Sequence, residues 1–160
     1  MPPFKAVLYK NQNIYKSILF LGIKEGVEMT NILFICRHNC FRSKIAEAYF
    51  NKINPHKSIS VRGAGLFPGV HTNSSQARVA KSLGVFMKGK PHPITIKLLH
   101  WADILVVVAD NIPSELFKKE EFKGKLIVWK VRDAHANNPK DIARAVKEII
   151  QHINKFVKTL

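Results

Sequence analysis

Apolar positions along the chain change their period several times, and each change marks an element. Ile32 to Ile35 form an unbroken apolar run leading into Cys36, and Asp103-Ile-Leu-Val-Val-Val-Ala109 is a second. Short, β-branched runs without a 3.6-residue period predict buried strands, covered on both faces as in parallel sheets. After Ser43 the spacing turns helical, with Ile45, Ala46, Tyr49, Phe50 and Ile53 on one face. Ser58-Ile-Ser-Val-Arg62 alternates and predicts another strand, closed by a turn at Gly63-Ala-Gly65. Residues 66–72 carry breakers and read as an irregular loop. Asn73 is placed to cap a helix from Ser74 to Leu83 that Gly84 ends.

Lys88 to Pro93 reads as a basic turn, and Ile94 to Ala102 as a helix with Ile94, Leu98 and Trp101 on one face. Pro113 opens a short helix through Phe117, and Leu126 to Trp129 is a fourth strand. Asn138-Pro139-Lys140-Asp141 combines a capping side chain, a first-turn proline and a carboxylate at the positive helix end. The long final helix that follows keeps Ile142, Ala145, Val146, Ile149, Ile153, Phe156, Val157 and Leu160 on one face. Strands alternating with helices predict an α/β fold, a parallel sheet with helices on both faces and right-handed crossovers.

Composition narrows the class. The chain has 160 residues, 46% of them hydrophobic and 23% charged, which suits a single globular domain with a proper core. No apolar run is long enough for a transmembrane helix, so no membrane partner is expected. Cys36 and Cys40 do not form a secreted disulfide framework, and a reduced cytoplasmic setting is expected. Cys-x3-Cys and scattered histidines match no common zinc spacing, so neither a metal nor another cofactor is expected. A net charge of +15 is high. The lysines are spread out with no aromatic-interleaved stripe, which points away from nucleic acid and toward a solvated basic surface. Residues 1–28 lack a coherent pattern and read as a loose or non-native extension. A domain from 29 to 160 follows, beginning at Met29 just before the first strand. An added edge strand from Ala6–Tyr9 or Ile18–Leu21 is the structural alternative.

The chemistry gathers where the first strand meets the first helix, in Cys36-Arg-His-Asn-Cys-Phe-Arg42-Ser43. A strand-loop-helix junction aims backbone N–H groups and the helix dipole at one point, which attracts an anion. A cysteine there is a ready nucleophile, and the forked donors of Arg42 match a planar set of oxygens. In an open parallel sheet, ligands sit beyond the carboxyl ends of the strands at the switch point. Strand one ends at Cys36, so topology and chemistry indicate the same place.

This segment, within a likeness spanning about residues 30 to 157, resembles the active-site loop of the low-molecular-weight protein tyrosine phosphatases, a family that includes thiol-dependent arsenate reductases. The resemblance implies a four-stranded flavodoxin-like sheet of order 2-1-3-4. It also implies a phosphomonoesterase working through a cysteinyl-phosphate intermediate. Cys36 would be the nucleophile, with the N–H groups of Arg37, His38, Asn39, Cys40 and Phe41 cradling phosphate beside Arg42. Asn39 matches a loop asparagine able to hold a left-handed turn, and Ser43 a serine that donates to the nucleophile's sulfur. Asp133, after strand four, matches the general acid, and Asp110 is the competing carboxylate.

The departures are His38 for glycine, Phe41 for a second cysteine, Lys44 for proline or glutamine, and Ala134 for the proline after the acid. Cys40 stands where relatives carry isoleucine or threonine to choose between aryl phosphate and phosphoarginine. The expected partner is a phosphorylated protein or small phosphate ester. Phosphoarginine hydrolysis and arsenate reduction with an external thiol are the alternatives. Thioredoxin-coupled relatives use further downstream cysteines, and none follows Cys40 here.

Overall fold

A computed structural model describes residues 28–118 and 122–160, so the readings made of residues 1–27 lie outside the described residues. The strands are β1 (Thr30–Cys36), β2 (Ile59–Gly65), β3 (Ile104–Val108) and β4 (Lys125–Trp129). The helices are α1 (Arg42–Ile53), α2 (Ser74–Ser82), α3 (Ile96–Trp101) and α4 (Pro139–Val157), with a 3-10 turn at Ser114–Phe117. All strand pairs are parallel, in the order β2-β1-β3-β4, as expected.

The two apolar runs are the central strands, and their alternation divides the core. Ile32, Phe34, Val106 and Val108 face α1, α2 and α4. Leu33, Ile35, Leu105 and Val107 face the other way, toward Leu98, Ile112, Phe117 and Phe122. Because both faces are covered, these strands could not show a polar side, which explains the unbroken runs. On the first face Phe34, Phe50, Trp129 and Phe156 form an aromatic cluster, with Phe34 and Trp129 centroids 5.8 Å apart.

Helix starts follow the capping chemistry. Asn73 accepts from the N–H groups of Ser75 and Gln76, and Asn138 from that of Asp141. Gly84, at φ +79°, ends α2 in the left-handed conformation that a side chain would strain.

Three boundaries differ from expectation by more than one residue. The glycines of Gly63-Ala64-Gly65 are strand, not turn: β2 runs on to pair Gly65 with Cys36. The reason is proximity, since a Cβ on Gly65 would lie 2.5 Å from the His38 carbonyl carbon. Helix α3 starts at Ile96 rather than Ile94, because Thr95 caps it and Ile94 donates its N–H to Gly65 instead. Leu160 falls beyond α4 and is exposed rather than on its buried face.

Candidate active site

The end of β1 fixes Cys36, which is 3% exposed, and the chain then wraps into a loop before α1 begins at Arg42. Asn39 sits at the sharpest point with φ +54°, a conformation that asparagine tolerates better than most residues. Its side chain is fully buried and works at both ends. Oδ1 accepts the His92 backbone N–H at 3.0 Å, which fixes the amide orientation. Nδ2 then donates to Ser43 Oγ at 2.7 Å. With that acceptor site filled, the Ser43 hydroxyl has its own hydrogen free to point at Cys36 Sγ, 3.1 Å away. A relay therefore runs from the 88–92 turn through Asn39 and Ser43 to the thiol.

Two neighbouring segments hold the loop from outside. Leu66 and Phe67 donate backbone N–H groups to the carbonyls of Cys36 and Arg37, both at 2.9 Å. Gly69 packs so closely that a Cβ there would meet the His38 carbonyl oxygen and Cys40 Sγ. Arg37 and His38 are exposed, beside the half-exposed Phe67 ring. Burial, with Cys36 alongside, pushes the Cys40 thiol above its ordinary pKa. Phe41 does not face the site. It is buried in the core cluster on the α1 side, wedging the loop against the sheet.

Arg42 is 1% exposed, and its guanidinium reaches across to the loops after β3 and β4. Nη1 donates to the Val131 carbonyl at 2.9 Å and pairs with Asp110 at 3.4 Å. Nη2 donates to Asn111 Oδ1 at 3.1 Å and pairs with Asp133 at 3.2 Å. The two carboxylates weighed as acid thus share one cation. The other Asp133 oxygen accepts the N–H of Ala134 at 3.0 Å, a bond that proline at 134 would forbid.

Several residues that sequence reasoning missed hold these parts in place. Lys44, 3% exposed, donates to the carbonyls of Lys88, Gly89 and Lys90 at 2.9 to 3.1 Å. All three ammonium donors are satisfied, which offsets the cost of burying the charge. Burial pulls the Lys44 pKa down and pushes Glu47 up, while their mutual attraction opposes both shifts. The signal was the departure itself, an ammonium where relatives carry proline or glutamine.

Arg144, on α4, donates to the carbonyls of Arg132 and Asp133 at 3.1 and 3.2 Å. It also binds Asp141 at 2.9 Å, and Asp141 accepts the His135 N–H at 2.9 Å. That N–H, then Arg144, holds the Asp141 carboxyl below its usual pKa. The i,i+3 spacing of Asp141 and Arg144 was visible, but not what the pair would grip.

A strand-end cysteine, a loop closing onto a helix and a buried arginine paired with carboxylates define a phosphate-handling α/β enzyme. Residues 31–160 match the family described as low molecular weight phosphotyrosine protein phosphatase, and the chain belongs to that family of cysteine-dependent phosphatases.

Solved structures of the same fold include the tyrosine phosphatase Wzb of Escherichia coli K30 in complex with sulphate. It is 22% identical, covering 82% of this chain and 98% of that one, with a TM-score of 0.69. The YwlE arginine phosphatase of Geobacillus stearothermophilus is 21% identical, covering 81% and 92%, with a TM-score of 0.69. A thioredoxin-dependent arsenate reductase of Corynebacterium glutamicum is 22% identical, covering 92% and 69%, with a TM-score of 0.64. No curated protein sequence matches the chain. Among the described residues no helix is long and apolar enough to cross a membrane.

Proposed function

We propose that the chain hydrolyses phosphate monoesters, aryl phosphates foremost, with Cys36 as nucleophile, Arg42 as phosphate clamp and Asp133 as general acid. The sulfur attacks phosphorus and the P–O bond to the leaving group breaks, giving a cysteinyl phosphate. Asp133 gives its proton to the departing oxygen. Water then attacks phosphorus, losing a proton to Asp133, and inorganic phosphate leaves as the thiolate returns. N–H groups from Arg37 to Phe41 and the Arg42 guanidinium balance charge on the equatorial oxygens. Ser43 stabilises the sulfur both as attacker and as leaving group.

The observation that carries this reading is the relay from Asn39 through Ser43 to Cys36 Sγ, at 2.7 and 3.1 Å. It sits at the sheet end where Arg42 meets Asp133 at 3.2 Å. Steady-state turnover of p-nitrophenyl phosphate, with rapid acid quench and intact mass, tests it. The expected results are turnover that persists in chelator, and a phosphate adduct on Cys36 that Cys36→Ser lacks. The same assay with phosphoarginine, and with arsenate plus either a low-molecular-weight thiol or thioredoxin, separates the alternatives. Aryl phosphatase turnover without thioredoxin-driven arsenate reduction is expected. Inert Cys36 toward every phosphate ester would overturn the reading.

A further inference from the structure

Acidic residues are unevenly placed along the chain. From Arg37 to Ala102 the sequence carries a single carboxylate, Glu47, which is only partly exposed on α1, in clefts shared with Lys88 and with His92. Three segments of this acid-poor stretch meet beside the phosphate loop. The loop itself presents Arg37 and His38, both exposed. The 66–71 segment lies against it through the Phe67 N–H to Arg37 carbonyl bond of 2.9 Å, and presents His71. The 88–92 turn is joined to it by His92 N–H on Asn39 Oδ1 at 3.0 Å and by Lys44, and presents Lys88, Lys90 and His92.

Amid these basic groups stand two exposed apolar side chains, Phe67 at 49% and Val70 at 87%. The opposite wall is of mixed sign. It is built from the loops after β3 and β4, and carries Asp110 and Asp133 beside the exposed Lys130 and Arg132, with Arg132 already paired to Asp141 at 3.2 Å.

We propose that the basic lip docks an acidic stretch of a phosphorylated polypeptide, so that the preferred substrate is a phosphoresidue with Asp and Glu clustered on one side only. This rests on the reading of Cys36 as the group that takes the phosphate. One-sidedness follows from the two walls, because acidic residues running the other way would meet Asp110 and Asp133. A polypeptide fits the lip better than a nucleic acid. Arg37 already lies over the Phe67 ring at 5.9 Å, so no free series of aromatic faces is offered to bases. Val70 and Phe67 suit an apolar side chain among the acidic ones.

The test compares phosphotyrosine peptides with acidic residues before the phosphotyrosine, after it, or on neither side, alongside p-nitrophenyl phosphate. One of the acidic peptides should exceed the neutral one in kcat/KM by about ten-fold or more at low ionic strength. The advantage should shrink as salt shortens the Debye length from about 10 Å at 0.1 M to about 3 Å at 1 M. The double variant Lys88→Ser, Lys90→Ser keeps the carbonyls that hold Lys44. It should lose most of that advantage with p-nitrophenyl phosphate turnover unchanged. Binding of the same peptides to the Cys36→Ser protein, by fluorescence anisotropy, reads the lip without turnover.

Equal rates and affinities for all peptides, with p-nitrophenyl phosphate still hydrolysed, would overturn the docking proposal and leave the enzyme reading standing. Equal gain from acids on both sides would refute the one-sided lip. A single-stranded oligonucleotide that binds more tightly than the acidic peptides and displaces them would make the lip a nucleic-acid surface instead. Failure to turn over any phosphate ester would overturn the enzyme reading alone, since the binding arm still decides the lip.

Discussion

The loop that carries Cys36 and the loop that carries Asp133 meet at Arg42 but are built differently. The first exposes Arg37 and His38 but is anchored by the buried Cys36, Asn39 and Ser43, and it bonds largely within itself and to adjacent turns, through Asn39, Ser43 and the backbone of residues 66 and 67. The second is exposed, with the Asp133 side chain 53% accessible, and it is held from behind by Arg144 and Asp141 on α4. Internal construction fixes the nucleophile and its cradle as a unit, where small errors of placement are costly to catalysis. External support lets the acid be adjusted without disturbing that cradle. Arg42 is the only side chain that bonds to residues of both β3 and β4 loops from the phosphate loop itself, among the contacts described above.

Substitutions can break this contrast, beginning with the largest effect. Cys36→Ser should lower p-nitrophenyl phosphate turnover by on the order of 10⁴-fold or more, as removal of a nucleophile does, with the fold retained by circular dichroism. Asn39→Ala should come next, because it harms both chemistry and stability. It places alanine at φ +54°, a cost of about 1–2 kcal/mol. It also strips the His92 N–H of its acceptor, costing about 1–3 kcal/mol more where that group stays dry. A lower midpoint in urea and a lower kcat should appear together.

Asp133→Asn should sharpen the contrast by separating substrates. Turnover should fall about 10²-fold or more for esters with poor leaving groups, and much less for p-nitrophenyl phosphate, whose phenolate departs without a proton. Equal losses would mark Asp133 as structural and shift attention to Asp110. Arg144→Met should reproduce the same substrate dependence more weakly, since it loosens the Asp133 backbone while leaving the carboxyl in place. A loss independent of the leaving group would place Arg144 in general stability instead.

The pH dependence of that support has a definite sign. Asp141 has a depressed folded pKa, so its contribution is complete above the unfolded value of about 3.9 and is lost as pH falls through the folded one. Acid should therefore release the 132–135 segment, read by faster amide exchange at His135. The smallest effect is expected from removing residues 1–28. Both loops are assembled from residues after Met29, and the shortened protein should fold and retain its kcat.

The contrast also explains what could be read in the sequence. The order β-strand, cysteine, loop, arginine, helix is contiguous, so Cys36, Asn39, Arg42 and Ser43 stood together before any coordinates. Strands β1 and β3 were legible because burial on both faces leaves an unbroken apolar run. Long-range partners left no such trace. Lys44 meets carbonyls some 44 to 46 residues away, and Arg144 meets residues 11 and 12 positions back through a helix that reads as simply amphipathic. The Gly63–Gly65 turn was misread for the same reason. Glycine there answers to a neighbour distant in sequence, the loop at His38, and not to a local bend.

The parallel pairing of β1 with β2, from Thr30 with Ile59 to Cys36 with Gly65, bears on how the protein comes to fold. Its partners lie 29 positions apart, much nearer than the 72 of β1 with β3 though not as near as the 21 of β3 with β4, so this crossover closes at modest cost in chain entropy. The phosphate cradle lies inside this first crossover, between β1 and α1. Stopped-flow kinetics of an Asn39 variant read whether that crossover forms early: slowed refolding places it in the transition state, and hastened unfolding places it after. The anion-binding loop is thus built within the first crossover, whereas the acid depends on β4 and α4 at the far end of the chain.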